Sequence, residues 1–420
     1  MRNGELQSMK KAKFKMTEIG PIPENWEVKR LGEVLTIGNG KDYKHLTSGT
    51  IPVYGTGGLM TYVNDWLYDG ATVCIGRKGT IDVPQYHEGK IWTVDTLYYT
   101  YDFKDVDIKF LYYLFLRIDW LSYNSATGVP SLTAKAICDI EVVLPPLAEQ
   151  KAIAEALSDV DELLAAMTTL IEKKRAIKQG TMQELLTGKK RLVGFKNFES
   201  SCLCASVLKK DAGVVEDGFN TETQRRRGTE FKMTEIGPIP KDWEVKRVGD
   251  IGQVITGSTP PRNNSANWGG DFNWISAKDF NGKYISKTEE HITEAGKRFC
   301  RLLPENSVLV TCIASIGLNA IAKKACATNQ QINAVVCRVD LPEYLYYQIC
   351  YRSGDLKILA GQTAVPIIGK KQFEDVLIPV PTLAEQKAIA EVLSDMDAEI
   401  EALEAKRAKY ESIKQSMMQE

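Results

Sequence analysis

The sequence predicts an α+β fold in which two α/β domains are joined by two long antiparallel coiled-coil helices with pseudo-two-fold symmetry. Three observations carry this prediction: an internal duplication, strand-like runs in the middle of each copy, and an apolar stripe of period 3.5 at the end of each copy. The length of 420 residues also favours more than one domain.

The duplication is visible in two pairs of segments. Residues 14–34 and 231–251 are identical at 16 of 21 positions, and residues 147–162 and 383–398 are identical at 13 of 16. Each half of the chain therefore has an opening segment, a variable middle and a closing segment. Because the two middles differ in sequence, we expect one fold with two different surfaces.

These segments divide the chain into five parts. The predicted parts are a first globular domain at residues 1–146, a first long helix at 147–188, a connector at 189–230, a second globular domain at 231–382 and a second long helix at 383–420. The connector is assigned because its apolar periodicity is weak.

Both middles contain the pattern of a sheet with one helix. Short runs rich in Val, Ile, Tyr and Thr, bounded by Gly, Asn, Asp and Pro, predict strands. These runs include residues 71–81, 91–101, 307–317 and 331–339. One helix is predicted from Lys109 to Asp119 and its counterpart from Glu343 to Arg352, so each middle is an α+β domain.

The two closing segments predict long helices that start after a proline pair or Pro-Thr. Their apolar residues step by four and three, which is typical of a coiled-coil seam. The seam residues are Ile153, Leu157, Val160, Leu164, Met167 and Ile171 in the first copy, and Ile389, Leu393, Met396, Ile400 and Leu403 in the second. We expect the two stripes to pair with each other; an ordinary amphipathic surface helix is the alternative.

Composition excludes several classes of protein. Lys plus Arg number 53 against 54 Asp plus Glu, so the net charge of -1 gives no overall support for a nucleic-acid or anionic-membrane partner. No stretch approaches 18 consecutive apolar residues, so we expect a cytoplasmic protein without a membrane contact. The nine cysteines are interpreted as reduced thiols, because the one close pair, Cys202 and Cys204, lacks a second pair and a nearby His for zinc.

Known catalytic patterns are not matched. Thr259-Pro260-Pro261-Arg262 has the wrong flanking residues for an adenine-holding methyltransferase motif, and Gly188-Lys189-Lys190 and Gly369-Lys370-Lys371 lack the hydroxyl residue of a phosphate loop. Asp82, Glu88 and Lys90 imitate a nuclease metal site, but they are closely spaced and occur in one half only. His45, His87 and His291 are isolated from any triad. We expect no catalytic residue and no metal site.

Two similar domains with different surfaces suit a partner that has two different recognition points, and double-stranded DNA is the obvious candidate. Base reading uses Arg, Lys, Asn, Gln and small hydroxyls on loops of a rigid scaffold. The candidate DNA-binding residues are Lys41, Tyr43, Lys44, Arg77 and Lys78 in the first half, and Thr259, Arg262, Asn263, Asn264, Lys278, Gln330 and Gln331 in the second. The alternative is that these residues form ordinary polar turns.

The loops of the two halves are expected to correspond in position and differ in chemistry. Aligning Gly79 with Gly317 sets Arg77-Lys78 against Ser315-Ile316, and aligning Thr93 with Thr328 sets Val94-Asp95 against Asn329-Gln330. Tyr54 to Gly58 is interpreted as a scaffold turn. Arg225 to Arg227 could touch phosphates, although a solvated linker is the favoured interpretation.

The repeated segments TEIGPIPENWEVKRLGEV, PLAEQKAIAEAL and TLAEQKAIAEVL, with the sequence IKQGTMQELLTGKKRL, resemble the specificity subunit of type I restriction-modification systems over nearly the whole chain. The resemblance implies two target recognition domains that each read one half of an interrupted DNA site, with the paired helices as a ruler.

The resemblance also implies partner subunits. Two modification subunits methylate adenine with S-adenosylmethionine, and restriction subunits translocate and cut DNA with ATP and Mg. These cofactors belong to the partners, so none is expected on this chain. A self-sufficient DNA-modifying enzyme, methyltransferase or nuclease, with an unrecognised active site is the alternative.

Overall fold

A computed structural model describes residues 13–195, 229–361 and 365–419. It divides into two compact units: unit 1 comprises Met1–Thr169 and Ala405–Glu420, and unit 2 comprises Leu170–Glu404. Each unit thus contains one globular head and parts of both long helices.

Some sequence predictions fall outside the described residues. They concern Cys202 and Cys204 as a rejected zinc pair and Arg225 to Arg227 as a linker. The seven described cysteines are free thiols.

Unit 1 contains the strands β1 to β12, the helices α1 to α3 and the first part of α4. The strands are β1 (Phe14–Thr17), β2 (Gly20–Pro23), β3 (Glu27–Arg30), β4 (Thr36–Asn39), β5 (Ser48–Gly55), β6 (Gly58–Val63), β7 (Tyr68–Asp69), β8 (Thr72–Gly76), β9 (Gln85–His87), β10 (Lys90–Thr93), β11 (Leu97–Tyr101) and β12 (Glu141–Leu144). The helices are α1 (Leu31–Val34), α2 (Ile108–Arg117), α3 (Ala134–Cys138) and α4 (Leu147–Leu186).

The head of unit 1 is built on two four-stranded sheets. Their strand orders are β6-β5-β10-β7 and β4-β11-β8-β9. Strands β5 and β10 run parallel, whereas β8 and β11 run antiparallel. The second sheet and α2 share one apolar core, which includes Ile75, Leu111 and Phe115. Strand β3 of the opening segment pairs with β12, the strand that leads into α4, so the duplicated segments lie together.

Unit 2 contains β13 to β24, the last part of α4, the helices α5 to α9 and the first part of α10. The strands are β13 (Phe231–Thr234), β14 (Gly237–Pro240), β15 (Glu244–Arg247), β16 (Gly252–Thr256), β17 (Trp268–Ile275), β18 (Tyr284–Ile285), β19 (Glu290–Ile292), β20 (Val308–Thr311), β21 (Asn319–Ala322), β22 (Cys326–Thr328), β23 (Ile332–Cys337) and β24 (Leu377–Val380). The helices are α5 (Val248–Ile251), α6 (Glu294–Lys297), α7 (Pro342–Tyr351), α8 (Ser353–Leu359), α9 (Lys370–Glu374) and α10 (Leu383–Gln419).

The head of unit 2 repeats the plan of unit 1 with a larger sheet. A five-stranded sheet has the order β16-β23-β20-β21-β18, and a three-stranded sheet has the order β19-β17-β22. The parallel pair β17 and β22 corresponds to β5 and β10. Strand β15 pairs with β24, the strand before α10, as β3 pairs with β12.

The helices predicted in the two middles are present. The first spans Ile108–Arg117 and begins where the Asp107 carboxylate accepts a hydrogen bond of 2.9 Å from the backbone N–H of Phe110. The second spans Pro342–Tyr351. Its first turn contains Pro342, which is tolerated because a backbone N–H at this position would have no acceptor within the helix.

A buried glutamine fixes the start of each long helix. In unit 1, the Gln150 amide donates to the carbonyl of Pro145 at 2.8 Å and accepts from the backbone N–H of Asp107 at 2.8 Å. In unit 2, Gln386 donates to the carbonyl of Pro381 at 3.0 Å and accepts from the N–H of Leu341 at 2.9 Å. Each glutamine therefore ties the start of a long helix to the loop before α2 or α7.

Within unit 2, the long helices pack with opposite chain directions. Lys174 of α4 pairs with Glu399 of α10 at 2.6 Å, and Lys178, one turn later, pairs with Asp397. The residue number rises on one helix as it falls on the other, which is the antiparallel pairing that the sequence predicts. The predicted α+β fold with two domains and long paired helices is confirmed.

All eleven seam residues of the two candidate stripes are buried or half-buried. The buried ones are Leu157, Met167, Ile171, Ile389, Leu393 and Ile400. Ile389 and Leu393 belong to the same apolar core as Leu185 and Leu186 of α4 and the buried residues of the head. In unit 2 the stripe therefore packs against both the other helix and the head.

No helix in the three described stretches of the chain combines the length and apolar character needed to cross a lipid bilayer.

Candidate nucleic-acid interface

Three loops of unit 1 line one open cleft of about 530 Å³. They are residues 42–44, residues 55–60 and residues 94–96. Tyr43 and Lys44, both predicted from the sequence to contact DNA, lie in this lining.

Backbone hydrogen bonds hold the first loop in place. The N–H of Lys41 donates to the carbonyl of Thr93 at 2.8 Å, and the Trp92 indole donates to the carbonyl of Lys41 at 2.8 Å. A Cβ at Gly40 would lie 1.9 Å from the carbonyl oxygen of Val94, so only glycine permits this close approach. The side chains of Lys41 and Lys44 remain exposed.

Arg77 is hydrogen-bonded to two residues that line the same cleft. Its backbone N–H donates to the carbonyl of Thr96 at 2.8 Å, and its guanidinium donates to the carbonyl of Asp95 at 3.4 Å. Lys78 pairs through an isolated β-bridge with Ser131. Both basic side chains are exposed, so unit 1 gathers four cations, at 41, 44, 77 and 78, on neighbouring loops.

The tip of the β5–β6 hairpin contributes apolar side chains that sequence reasoning missed. Leu59 is 51% exposed and Met60 is 55% exposed, and both line the cleft. Tyr54 to Gly58, interpreted from the sequence as a scaffold turn, spans the end of β5 and the start of β6. In the sequence, Gly57-Gly58 directly before Leu59 and Met60 is the feature that could have predicted an exposed turn.

A stacked pair supports this hairpin. The rings of Tyr54 and His87 lie 3.7 Å apart, and the Gln85 amide donates to the carbonyls of Gly55 and Thr56 at 3.0 and 3.2 Å. Burial lowers the pKa of His87 to about 4, so the ring is neutral at neutral pH. His87 therefore has a packing role, in agreement with its interpretation as an isolated histidine.

Unit 2 builds the corresponding loops with the same backbone bonds. The N–H of Ser258 donates to the carbonyl of Thr328 at 2.7 Å, as Lys41 does to Thr93 in unit 1. The Thr259 hydroxyl donates to the Gln330 side chain at 2.6 Å, so two predicted residues from distant parts of the sequence meet here. The Gln331 side chain accepts from the Asn329 amide at 3.2 Å.

Arg262 is held by neighbours that the sequence analysis did not name. Its guanidinium forms a two-pronged ion pair with Glu290, with one contact at 2.9 Å. It also lies 4.0 Å from the ring centre of Trp268 and 4.8 Å from that of Trp274. The Arg262 ion pair lowers the pKa of Glu290. Arg262 is thus about half exposed and already bound, rather than a free side chain on a loop.

The other candidate DNA-binding residues near Arg262 differ in whether their side chains already form hydrogen bonds within the protein. Asn263 is exposed, whereas the Asn264 side chain accepts a hydrogen bond of 3.1 Å from the N–H of Ala266 and so caps a short turn. Lys278 is exposed and its charge contributes to the lowered pKa of Glu290.

The hydrogen bonds also settle which loop residues correspond. Thr93 and Thr328 are equivalent, as the sequence predicts. The alignment of Gly79 with Gly317 is wrong, because Gly79 and Ala314 make the same bond, from N–H to the carbonyl of Pro130 or Pro366. Both residues also have positive φ, 95° for Gly79 and 62° for Ala314.

This equivalence of Gly79 with Ala314 also changes which residues of unit 2 are equivalent in position to Arg77 and Lys78. Arg77 is equivalent in position to Cys312, since their N–H groups bond to the carbonyls of Thr96 and Gln331 respectively, and Lys78 is equivalent to Ile313, since each forms an isolated β-bridge. Gly317 lies three positions after Ala314, and the sequence alignment chose it because glycine is the usual residue at positive φ, a rule from which Ala314 departs.

The rejected catalytic patterns have ordinary structural roles. Glu88 accepts a hydrogen bond from the Tyr86 hydroxyl, and the Lys90 ammonium lies 3.6 Å from the ring centre of Trp66. Gly188 follows α4 with φ 69°, and a Cβ there would lie 2.5 Å from the Pro240 ring, so this glycine allows the chain to turn close to Pro240. Among the described residues, no group of three His, Cys, Asp or Glu side chains could hold a metal ion.

Comparison with known proteins places these features in a family. A sequence model described as the type I restriction modification DNA specificity domain matches residues 23–176 and 240–412. The chain is 42% identical over 181 residues to the type I restriction enzyme MjaIX specificity subunit of Methanocaldococcus jannaschii, a match that covers 41% of this chain and 42% of that protein. It is 25% identical over 452 residues to the putative MjaX specificity subunit of the same organism, covering 98% of this chain and 96% of that protein.

A solved structure shows the same fold. The crystal structure of the type I restriction-modification S subunit from M. genitalium superposes with a TM-score of 0.59 at 13% identity, covering 94% of this chain and 95% of that chain.

Proposed function

The chain belongs to the type I restriction-modification DNA specificity family, and from this premise we propose that it is a DNA specificity subunit that reads a two-part, interrupted target on double-stranded DNA. Each unit reads one half of the target. Two modification subunits and the restriction subunits are its protein partners in this proposal.

The observation that carries this proposal is a pair of matching scaffolds with different loop chemistry. The same backbone bonds hold Lys41 in unit 1 and Ser258 in unit 2, yet one side chain is a cation and the other a small hydroxyl. Asp95 of unit 1 corresponds to Gln330 of unit 2 in the same way. Unequal half-sites require loops that agree in position and differ in donors and acceptors.

The loops carry the groups that base recognition uses. Lys41, Lys44 and Arg77 can donate to phosphates or to guanine, and the exposed Gln330 amide can pair with adenine. Leu59 and Met60 at the hairpin tip can contact a thymine methyl group or a base step. In unit 2, Arg262 is oriented by Glu290 and two indole rings, which fixes its approach to a base edge.

We assign the chemistry to the partners. The chain binds and orients DNA. The modification subunits use S-adenosylmethionine, and the restriction subunits use ATP and Mg. A self-sufficient DNA-modifying enzyme is the alternative, and methyl transfer by the purified chain alone, without partner subunits, would establish it.

The proposal is tested with the chain assembled with its modification subunits. Substituting Lys41→Ala together with Lys44→Ala should relax only the first half of the methylated target, and Gln330→Ala only the second. Sequencing of methylated adenines in a random DNA library reads both halves at once. Lys104→Ala, an exposed lysine outside the cleft lining, is the control and should leave the target unchanged.

A change in both halves after either loop substitution would contradict the assignment of one half-site to each unit.

A further inference from the structure

Three loop cations of unit 1 have uncharged counterparts in unit 2. The equivalent pairs are Lys41 and Ser258, Arg77 and Cys312, and Lys78 and Ile313. The phosphate backbone of DNA is alike at any two half-sites, and Lys and Arg side chains supply most of the sequence-independent affinity for it. A comparable hold of unit 2 on DNA therefore requires positive charge from another part of its head.

Two pairs of equivalent strand positions show where the heads differ in length. Val63 and Ile292 are equivalent, because each pairs with two residues of a bulged strand, β5 or β17. Tyr68 and Leu303 are equivalent, because each pairs with the strand parallel to the bulged one, β10 or β22, two positions before its matched threonine. Any difference in length between these points belongs to the connecting segment.

That connecting segment is longer in unit 2. Four residues, 64–67, join the equivalent positions in unit 1, and ten residues, 293–302, join them in unit 2. We call residues 293–302 the unit 2 insertion. It contains the short helix α6, and its charged residues are Glu294, Lys297, Arg298 and Arg301.

Two arginines of the unit 2 insertion have unneutralised charges. Glu294 forms an ion pair with Lys297, so these two charges offset each other. Arg298 and Arg301 are both exposed, and no carboxylate of the described residues forms an ion pair with either one. The unit 2 insertion therefore presents two positive charges to solvent.

The start of the unit 2 insertion is fixed to the loop before β17. The Thr293 hydroxyl donates to the carbonyl of Ala266 at 2.6 Å, and the N–H of Thr293 donates to the carbonyl of Asn267 at 3.0 Å. A Cβ at Gly296 would lie 2.3 Å from the Asn267 carbonyl oxygen, so α6 packs directly on this backbone. The unit 2 insertion is thus a packed part of the head.

The end of the unit 2 insertion is bonded to the candidate nucleic-acid interface. The N–H of Arg301 donates to the Ser258 hydroxyl at 3.1 Å, and the Arg301 guanidinium donates to the carbonyl of Thr256 at 2.6 Å. The Cys300 thiol donates to the carbonyl of Ser258 at 3.5 Å. A guanidinium has several N–H donors, so those not bonded to Thr256 can bind an anion. Arg301 therefore brings a cation to Ser258, the counterpart of Lys41.

We propose that the unit 2 insertion contacts the DNA backbone, with Arg298 and Arg301 binding phosphates beside the second half-site. This inference rests on the proposed function and adds a further element of unit 2 to the same interface. Two observations identify the partner: the unpaired positive charge, which complements phosphate, and the hydrogen bonds that join Arg301 to the Ser258 loop. Phosphate contacts position a protein on DNA without reading bases, so these arginines set affinity and leave the target sequence unchanged.

The test measures DNA binding at several salt concentrations, with the chain assembled with its modification subunits. Arg298→Ala together with Arg301→Ala should weaken binding to matched and mismatched DNA alike. The plot of log K against log salt concentration should become less steep by about 1.8, since each lost phosphate contact removes about 0.9 from the slope. Sequencing of methylated adenines in a random DNA library should return the parent target.

Two further variants separate charge from a folding defect. Arg298→Lys together with Arg301→Lys keeps both charges and should retain most of the parent slope. Lys323→Ala together with Lys324→Ala is the matched control, because it also removes two exposed cations from unit 2. These lysines precede β22, whereas Ser258 is bonded to Thr328 at the end of that strand, so the control should keep the parent slope.

Three results would overturn the inference. A parent slope in the double alanine variant, with a two-part target still methylated, would show that the unit 2 insertion does not bind phosphates and would leave the proposed function intact. A changed base preference at the second half-site would make the arginines base readers. A parent complex that methylates no two-part target would overturn the proposed function and this inference together.

Discussion

Residue identity and residue environment are separate pieces of information in this chain. Glu149 and Glu385 occupy identical repeat positions, yet one is half-buried with neutral donors and the other is sealed around an arginine. Arg262 was predicted as a loop cation and lies in a cage of Glu290, Trp268 and Trp274. Environment, and not residue type alone, decides what each group can do.

The Arg262 cage allows a test of its role in base reading. In the assembled methyltransferase complex, Arg262→Ala should weaken discrimination at the second half-site by about 1–3 kcal/mol, the range for one two-pronged base contact. Glu290→Gln keeps the guanidinium and the rings, so the second half-site should be retained. Competitive methylation of matched and mismatched targets measures both. An unchanged second half-site in Arg262→Ala would show that Arg262 does not read a base, and equal losses in the two variants would show that the charge of Glu290 is needed as much as the guanidinium.

His87 makes the stability of unit 1 depend on pH. Its pKa is lowered by burial to about 4 in the folded chain, against an ordinary value of 6.5, so the unfolded chain binds more protons between these values. The contribution of His87 therefore favours folding above pH 6.5 and is lost as pH falls towards 4.

His87→Phe keeps a ring on Tyr54 and removes this titration. The melting temperature of unit 1 should fall less between pH 7 and pH 4.5 in the variant than in the parent chain, as measured by calorimetry. Comparing the two chains cancels the effect of the carboxylates. Identical falls would mean that His87 is accessible to protons when folded.

At the scale of elements, a buried glutamine ties the start of each long helix to its head. Gln386 makes hydrogen bonds to Pro381, Leu341 and Asp340 from a position that is 1% exposed. The bonds join α10 to the loop before α7, so the helix and the head are fixed to each other.

Gln386→Leu should therefore destabilise unit 2. The substitution keeps the side-chain volume and leaves the N–H of Leu341 without its partner, which costs about 1–3 kcal/mol for a buried donor. Urea unfolding followed by tryptophan fluorescence measures the change. Lys387→Ala, at the neighbouring exposed position, should change the unfolding free energy by less than about 0.5 kcal/mol. Equal effects would argue against the buried glutamine as a clamp.

At the scale of the whole molecule, the duplication predicts that one half can pair with itself. Residues 1–195 contain the head of unit 1 and all of α4, and the contacts of Lys178 with Asp397 in unit 2 match those of Lys414 with Asp161 in unit 1. In a fragment dimer, Lys178 of one copy would contact Asp161 of the other. Left alone, the apolar stripe of α4 would be exposed to water.

We expect this fragment to be a homodimer, because two identical antiparallel helices close on each other. Light scattering gives the mass, and with modification subunits the dimer should methylate an interrupted palindrome of the first half-site. Asp161→Lys should weaken the dimer, and the added exchange Lys178→Asp should restore it. A stable monomer, or an asymmetric methylated target, would show that the two helices are not equivalent partners.

The sequence by itself determined the duplicated organisation and the long helices that begin at Leu147 and Leu383. It also predicted one helix in each middle, from Lys109 to Asp119 and from Glu343 to Arg352, and the structure has these helices at Ile108–Arg117 and Pro342–Tyr351. These features depend on local patterns, namely apolar period, caps and proline stops, which a sequence displays directly. The family resemblance rests on the same repeated motifs.

Only the tertiary structure decided which loop residues meet. Thr259 and Gln330 are 71 positions apart, and Arg262 and Glu290 are 28 apart, and no local pattern records such pairs. The equivalence of Gly79 with Ala314 was likewise visible only from the hydrogen bonds to Pro130 and Pro366. The physical reason is that pairing across a sheet and burial against a distant segment are set by the whole folded chain.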